Sequence, residues 1–160
     1  MTDVRDVFAR IPAAVNLVTT MTAAGPSGMT ASSVCCLSLN PPLVLVCVDN
    51  RSRTLRGLRQ CRRFGVNLLQ DRHAELADDF ARPNVDKASR LRQTPHHLVG
   101  EVVVLDDALA WLVCRLCDTY PGGDHTIVVG EVETLGHRTG QPLVRHDRRY
   151  RPLAPILANA

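Results

Sequence analysis

The side chains best suited to hold a ligand lie in two neighbouring stretches. The first runs from Gly28 to Asp49. It opens on a small, hydroxyl-rich segment, Thr30-Ala31-Ser32-Ser33, and continues as an apolar run broken by Asn40-Pro41-Pro42. Small residues let a flat ligand approach the backbone, and hydroxyls with backbone N–H groups can read its polar edge. The alternative is an ordinary hairpin whose Ser and Thr are solvated. The second stretch is Arg51-Ser52-Arg53-Thr54. Ser52 is a good N-cap, and Leu55, Leu58 and Cys61 mark one face of a short helix behind it. Gly57 weakens that helix without forbidding it. Free N–H groups at a helix start, two hydroxyls and two guanidinium groups suit a phosphate. An ordinary cap flanked by exposed arginines gives the same pattern.

The cysteines point to less. Cys114-Arg115-Leu116-Cys117 has the C-x-x-C spacing, but it lies in an apolar, strand-like run. Strand positions three apart face opposite ways, and no second pair completes a zinc site. Cys35, Cys36, Cys47 and Cys61 are expected to be small buried hydrophobes.

Around these stretches, short strands recur with few helices. An amphipathic helix is expected over Thr2–Ile11, with Thr2 or Asp3 as its cap and Pro12 as its end. Strands are expected at Val15–Met21, on both sides of Asn40-Pro41-Pro42, and at Phe64–Leu69. Proline fixes its own φ and biases its predecessor toward extended backbone, so that break is rigid. Asp71 should cap a helix that turns Leu76, Ala77 and Phe80 inward. The polar stretch from Arg82 to His97 is expected to be an ordered loop, with His96 and His97 exposed. Leu109–Cys117 and Thr126–Leu135 form a long hairpin across Tyr120-Pro121-Gly122-Gly123-Asp124, and Pro142–Arg145 and Arg149–Leu153 are short terminal strands. The pattern is mainly β with a few short helices, an antiparallel barrel.

At 160 residues, 45% of them hydrophobic, the chain is expected to be one domain able to bury its own core. No apolar run approaches the roughly 20 residues that span a bilayer. Met1-Thr2-Asp3-Val4-Arg5-Asp6 lacks the basic and apolar regions of a secretory signal, so the cytoplasm is expected. The net charge is only +3, Lys87 is the sole lysine, and no basic block stands beside aromatics. A nucleic-acid stacking surface has little support.

Taken together, Gly28-Met29-Thr30-Ala31-Ser32-Ser33, Ser38-Leu39-Asn40-Pro41-Pro42-Leu43-Val44, Ser52-Arg53-Thr54, Phe64-Gly65-Val66-Asn67-Leu68-Leu69 and Gly123-Asp124-His125-Thr126-Ile127-Val128-Val129-Gly130-Glu131-Val132 resemble the flavin reductase family of FMN-binding split barrels. These are the small reductase components of two-component monooxygenases. The resemblance spans nearly the whole chain, to Arg149-Tyr150-Arg151, in the family's order. It implies that Thr30, Ala31, Ser32 and Ser33 line the isoalloxazine, largely through backbone groups, with Val48 and Asp49 against the ribityl and ring region. It implies that Ser52, Arg53 and Thr54 hold the phosphate with Lys87 nearby, and that His125 contacts the nicotinamide. His125 has a second reading, as a histidine bonded to Asp124 within a Gly-rich turn.

The resemblance further implies FMN or FAD as flavin, NADH or NADPH as hydride donor, a homodimer, and a partner monooxygenase fed by reduced flavin. Two alternatives stand beside this: a bound flavin used on an organic substrate, and a non-catalytic flavin carrier. No Gly-x-Gly-x-x-Gly fingerprint is present, which argues against a Rossmann domain. The chain departs from the family in two places. Ala13-Ala14-Val15 stands where Thr-Gly-Val is common, and Ala88 stands where an aromatic follows the loop lysine.

Overall fold

The computed structural model describes residues 3–153. Asp3 caps α1 (Val4–Phe8), its carboxylate accepting from Arg5 N at 2.9 Å. Thr2, the other candidate cap, lies outside the described residues. The helix stops at Phe8, short of Ile11, and buries none of its own side chains. Strands β1 (Ala13–Ala14), β2 (Asn16–Thr22), β3 (Gly25–Ala31), β4 (Cys35–Leu39) and β5 (Pro42–Asp49) follow, then α2 (Arg53–Cys61) and β6 (Arg63–Leu68). Next come α3 (Ala74–Ala81), α4 (Lys87–Gln93), β7 (His96–Val99), β8 (Val102–Leu105), β9 (Ala110–Gly122), β10 (His125–His137), β11 (Leu143–His146) and β12 (Arg149–Pro152).

Seven strands form one antiparallel sheet in the order β3-β2-β6-β9-β10-β5-β4. It curls far enough for β3 to touch β5. Alternation along the strands sorts side chains to its two faces. Val18 points inside with Val46, Phe64 and Val128, and α2 adds Leu55 and Leu58. Its neighbour Leu17 points outside, where Leu76 and Phe80 of α3, Leu91 of α4 and Leu105 of β8 cover it. Both faces of β2 are therefore buried, and each fully buried Leu or Phe contributes about 1.5–3 kcal/mol.

The β7–β8 hairpin is a structural addition that the sequence pattern did not reveal. All four residues of β8 are buried. The main sheet holds its backbone through side chains: Thr19 Oγ1 donates to Val103 O at 2.7 Å, and Leu105 N donates to Asn67 Oδ1 at 2.8 Å. These two buried polar residues are satisfied by a strand lying across the sheet face.

Several expectations need correction. The stretch from Arg82 to His97 is not one loop. It contains α4, whose single fully buried side chain, Leu91, leaves no apolar stripe to read. His96 and His97 begin β7. His97 is exposed, but it has a carboxylate partner, Asp106, at 2.7 Å. Asp71 does not cap α3. It opens a 3-10 turn, Asp71–His73, in which Gln70 N donates to His73 Nδ1 at 3.0 Å. Among the cysteines, Cys35 and Cys36 are exposed on edge strand β4, and Cys47 and Cys61 are half-buried. Only Cys114 is fully buried, and desolvation pushes its thiol up to about 12.

Among the described residues, no helix is long and apolar enough to cross a membrane.

Candidate flavin site

The hydroxyl-rich segment lies at the end of β3, on the barrel rim. Two of its hydroxyls bind protein backbone. Thr30 Oγ1 donates to Ala77 O of α3 at 2.6 Å. Ser33 Oγ accepts from Cys47 N at 3.2 Å and donates to Cys47 O at 3.1 Å, tying the segment to β5. Both hydroxyls thus clasp protein backbone. Backbone groups and the exposed Ser32 remain to face a ligand. Ser32 lines a cleft of about 310 Å³ beneath α1, with Phe8, Ile11 and Ala13 along one side and Arg145 and Arg148 along another. Ala13, one of the departing positions, pairs with Arg145 of β11.

Val48 is fully buried in the barrel, and Asp49 ends the strand beside it. The chain then turns into α2. Ser52 Oγ accepts from Thr54 N at 3.0 Å, so the cap is formed while the hydroxyl hydrogen stays available to an anion. Thr54 is only 2% exposed and lines none of the clefts described here.

A cleft of about 740 Å³ lies between α2, the β2–β3 turn and residues 83–88. Arg53, Arg56 and Gln60 of α2 and Lys87 of α4 line it, and so does Ala88. Its geometry depends on Gly57, where a Cβ would come within 2.8 Å of both Thr20 Cγ2 and Thr22 Cγ2. That glycine lets α2 lie against β2. Lys87 Nζ donates to Phe80 O at 3.0 Å, and burial, then the nearby Arg53, hold its pKa below the usual lysine value. Like charges drawn together beside an opening are suited to an anion; Arg53 and Lys87 line this cleft, and Ser52 does not.

His125 lies elsewhere on the rim. The β9–β10 hairpin is tighter than expected, with Gly122 paired to His125 around Gly123 and Asp124 alone. The histidine is therefore the first residue of a strand. Nδ1 bonds Asp124 Oδ1 at 2.7 Å, as the second reading expects, and the ring also lines a cleft of about 410 Å³ with Asn50, Arg59 and Pro121. Asn50 is a residue that the sequence reading missed. It takes the O–H of Thr126 at 2.7 Å on Oδ1, and its Nδ2 donates to Gly123 O at 3.2 Å, fixing the turn that carries His125. An Asn just after a strand signals a turn, but not a turn 73 residues away that it holds.

Arg53 and Lys87 thus share a cleft, while Ser32 and His125 line others. A family model described as flavin reductase like domain matches residues 8–154. This chain belongs to the flavin reductase-like family. The actinorhodin polyketide dimerase of Streptomyces coelicolor is 39% identical over 93% of this flavin reductase-like chain and 84% of its own length. The reductase component of a 4-nitrophenol 4-monooxygenase/4-nitrocatechol 2-monooxygenase from Rhodococcus opacus is 36% identical, over 94% of this chain and 80% of its own. In structure, an NADH:FAD oxidoreductase of Streptomyces globisporus, solved with NAD and FAD fragments, superposes with a TM-score of 0.89 at 32% identity. That match covers 96% of this chain and 93% of the other. The fold is the split barrel of these flavin reductases.

Proposed function

We propose that this chain is an NAD(P)H-dependent flavin reductase that supplies reduced FMN or FAD to a separate monooxygenase. The observation that carries this reading is the cationic cleft of Arg53 and Lys87 on the rim of a flavin-reductase split barrel. The cofactors themselves supply the hydride chemistry. The protein must hold the nicotinamide near the flavin ring, a positioning task. In this reading Thr30, Ala31, Ser32 and Ser33 present backbone N–H groups to the ring, where they favour the negative charge of the reduced form. Val48 and Asp49 bound the ring and ribityl region. Ser52, Arg53 and Lys87 hold the phosphate, and Thr54 acts by shaping the helix start. His125 meets the nicotinamide through the ring edge opposite its Asp124 bond.

Reductase components of monooxygenases among its relatives support a diffusible flavin product. The work takes place in the cytoplasm, where nicotinamide cofactors are abundant. A second reading is favoured by one relative's name, polyketide dimerase, and would put the flavin to work on an organic substrate. Steady-state oxidation of NADH and NADPH with added FMN, FAD and riboflavin separates the two. Turnover that needs added flavin supports the reductase. Turnover that needs an organic acceptor supports the alternative.

The active form is a homodimer. Val4, Val7, Phe8 and Ile11 of the N-terminal segment are each more than half exposed, and Leu39 on edge strand β4 is 92% exposed. An apolar helix face and a bare sheet edge on one chain call for a symmetric partner. Light scattering should give twice the chain mass. A fully active monomer at micromolar concentration would contradict it.

A further inference from the structure

The cleft between α2 and residues 83–88 is bigger than the phosphate of FMN requires. It contains none of the residues assigned to the ring, Thr30 to Ser33, Val48 and Asp49, yet reaches about 740 Å³. Arg53 and Lys87 occupy one part of it. Arg56 and Gln60 continue along the same face of α2, since residues three or four apart stack on one side of a helix. Arg56 follows Arg53 by about one turn, roughly 5 Å along the axis. Arg56 is exposed and, like the exposed Arg53 and the half-buried Lys87, forms no ion pair with a carboxylate among the described residues. The one carboxylate on the cleft wall, Asp86, accepts from Ser89 N at 3.1 Å as the cap of α4. Ala23, Ala24 and Pro26 of the β2–β3 turn add a small apolar part to the lining.

From this arrangement we infer that the cleft receives the adenosine diphosphate half of FAD, so that Arg56 and Gln60 select FAD over FMN. Arg53 and Lys87 take the phosphate that both flavins share. Arg56 takes the second phosphate, which only the dinucleotide has. Gln60 offers an amide to the base, whose flat face rests against Ala23, Ala24 and Pro26. The inference rests on the flavin-binding reading above and assigns its preferred substrate. An ADP group could also come from the nicotinamide dinucleotide, and the test separates these sources.

The test is equilibrium titration of flavin-free protein with FAD, FMN and riboflavin, for the parent, Arg56→Ala and Gln60→Ala. The parent should bind FAD more tightly than FMN. Arg56→Ala should weaken FAD by about tenfold, the size of one charge-assisted contact at an exposed site, and move FMN by less than about twofold. Gln60→Ala should weaken FAD by about threefold and leave FMN alone. Both positions are exposed surface, so melting temperatures should match the parent. Equal losses for FMN and FAD would overturn the inference, because Arg56 would then serve the shared phosphate. No change for either flavin would overturn it too. So would a loss confined to NADH in the FMN-saturated protein, which would give the cleft to the nicotinamide dinucleotide. A parent protein that binds no flavin at all would instead defeat the underlying reading.

Discussion

His125 lies directly opposite Asp49 across the antiparallel β5–β10 pair. The first residue of one strand faces the last residue of the other at the barrel mouth. The two side chains nevertheless bond elsewhere. Asp49 accepts from Arg51 N at 2.7 Å, and that bond, followed by the Arg51 guanidinium, holds its carboxyl below the usual carboxylate range. His125 bonds Asp124. Each side chain is thus bonded within its own turn, and the charge of His125 adds only the last of the effects that lower the Asp49 pKa.

Replacing His125 with alanine tests the nicotinamide assignment. One neutral hydrogen bond is worth roughly 0.5–1.5 kcal/mol, so the Michaelis constant for NADH should rise by at most about tenfold. The side chain is 42% exposed, so melting temperature should barely move. Flavin affinity should hold. If the nicotinamide is also misplaced, kcat falls with it. Lost flavin affinity with unchanged NADH dependence would put this residue in the other half of the site.

Ser52→Ala should have two effects of different size. Loss of the cap on Thr54 N costs about 1 kcal/mol of stability. Loss of the hydroxyl at the phosphate should weaken FMN and FAD several-fold while riboflavin, which has no phosphate, changes little. Titration with all three flavins below the melting transition checks it. Equal weakening of all three would mean that the helix start, not the phosphate contact, was lost.

Gly57→Ala sets helix propensity against packing. Alanine in a helix interior gains about 1 kcal/mol over glycine. Here, however, the new methyl meets two methyls at 2.8 Å and Met21 O at 3.2 Å. Overpacking of that kind costs about 1–3 kcal/mol. The clash should win, lowering stability in chemical denaturation and weakening phosphate-bearing flavins as α2 is displaced. A stabilised variant would show that the helix can move away freely.

Asp107 should govern part of the acid limb of stability. Burial raises its pKa, but the bond from His73 Nε2 at 2.9 Å and the Arg72 guanidinium outweigh it, so the net shift is below the ordinary value of 3.8. A depressed folded-state pKa contributes stability that is present above 3.8 and is lost as pH falls through the lower folded value. Asp107→Asn should therefore destabilise at neutral pH and by a smaller amount near pH 3, as read from denaturation midpoints. A constant difference at all pH values would remove the carboxylate from this role.

Much of the barrel was legible because its strands are apolar, β-branched runs bounded by turn residues. In β5, Leu43 to Val48 is apolar throughout, so the letters mark a strand, and only the structure shows Val44, Val46 and Val48 buried while Leu43, Leu45 and Cys47 are partly covered. The pattern failed where burial has no period. Val102–Leu105 is buried throughout, and nothing in its letters distinguishes a strand laid across a sheet from any apolar run. In α4 the reverse holds, since Leu91 alone anchors a helix of otherwise half-exposed residues. Among the candidate site residues, residue type alone did not reveal the hydrogen bonds that the fold imposes. Thr30 and Ser33 look like ligands and serve as backbone clasps, and Asn50 looks like a turn residue and holds the turn of His125.

The central claim is that flavin is a substrate released in reduced form, and anaerobic stoichiometry tests it most directly. NADH is added to a large molar excess of free FAD or FMN over protein, and loss of the oxidised flavin's visible absorbance is followed without oxygen. The account predicts that flavin is reduced mole for mole with NADH, over many turnovers per protein chain. Reduction that stops at one flavin per chain would contradict it.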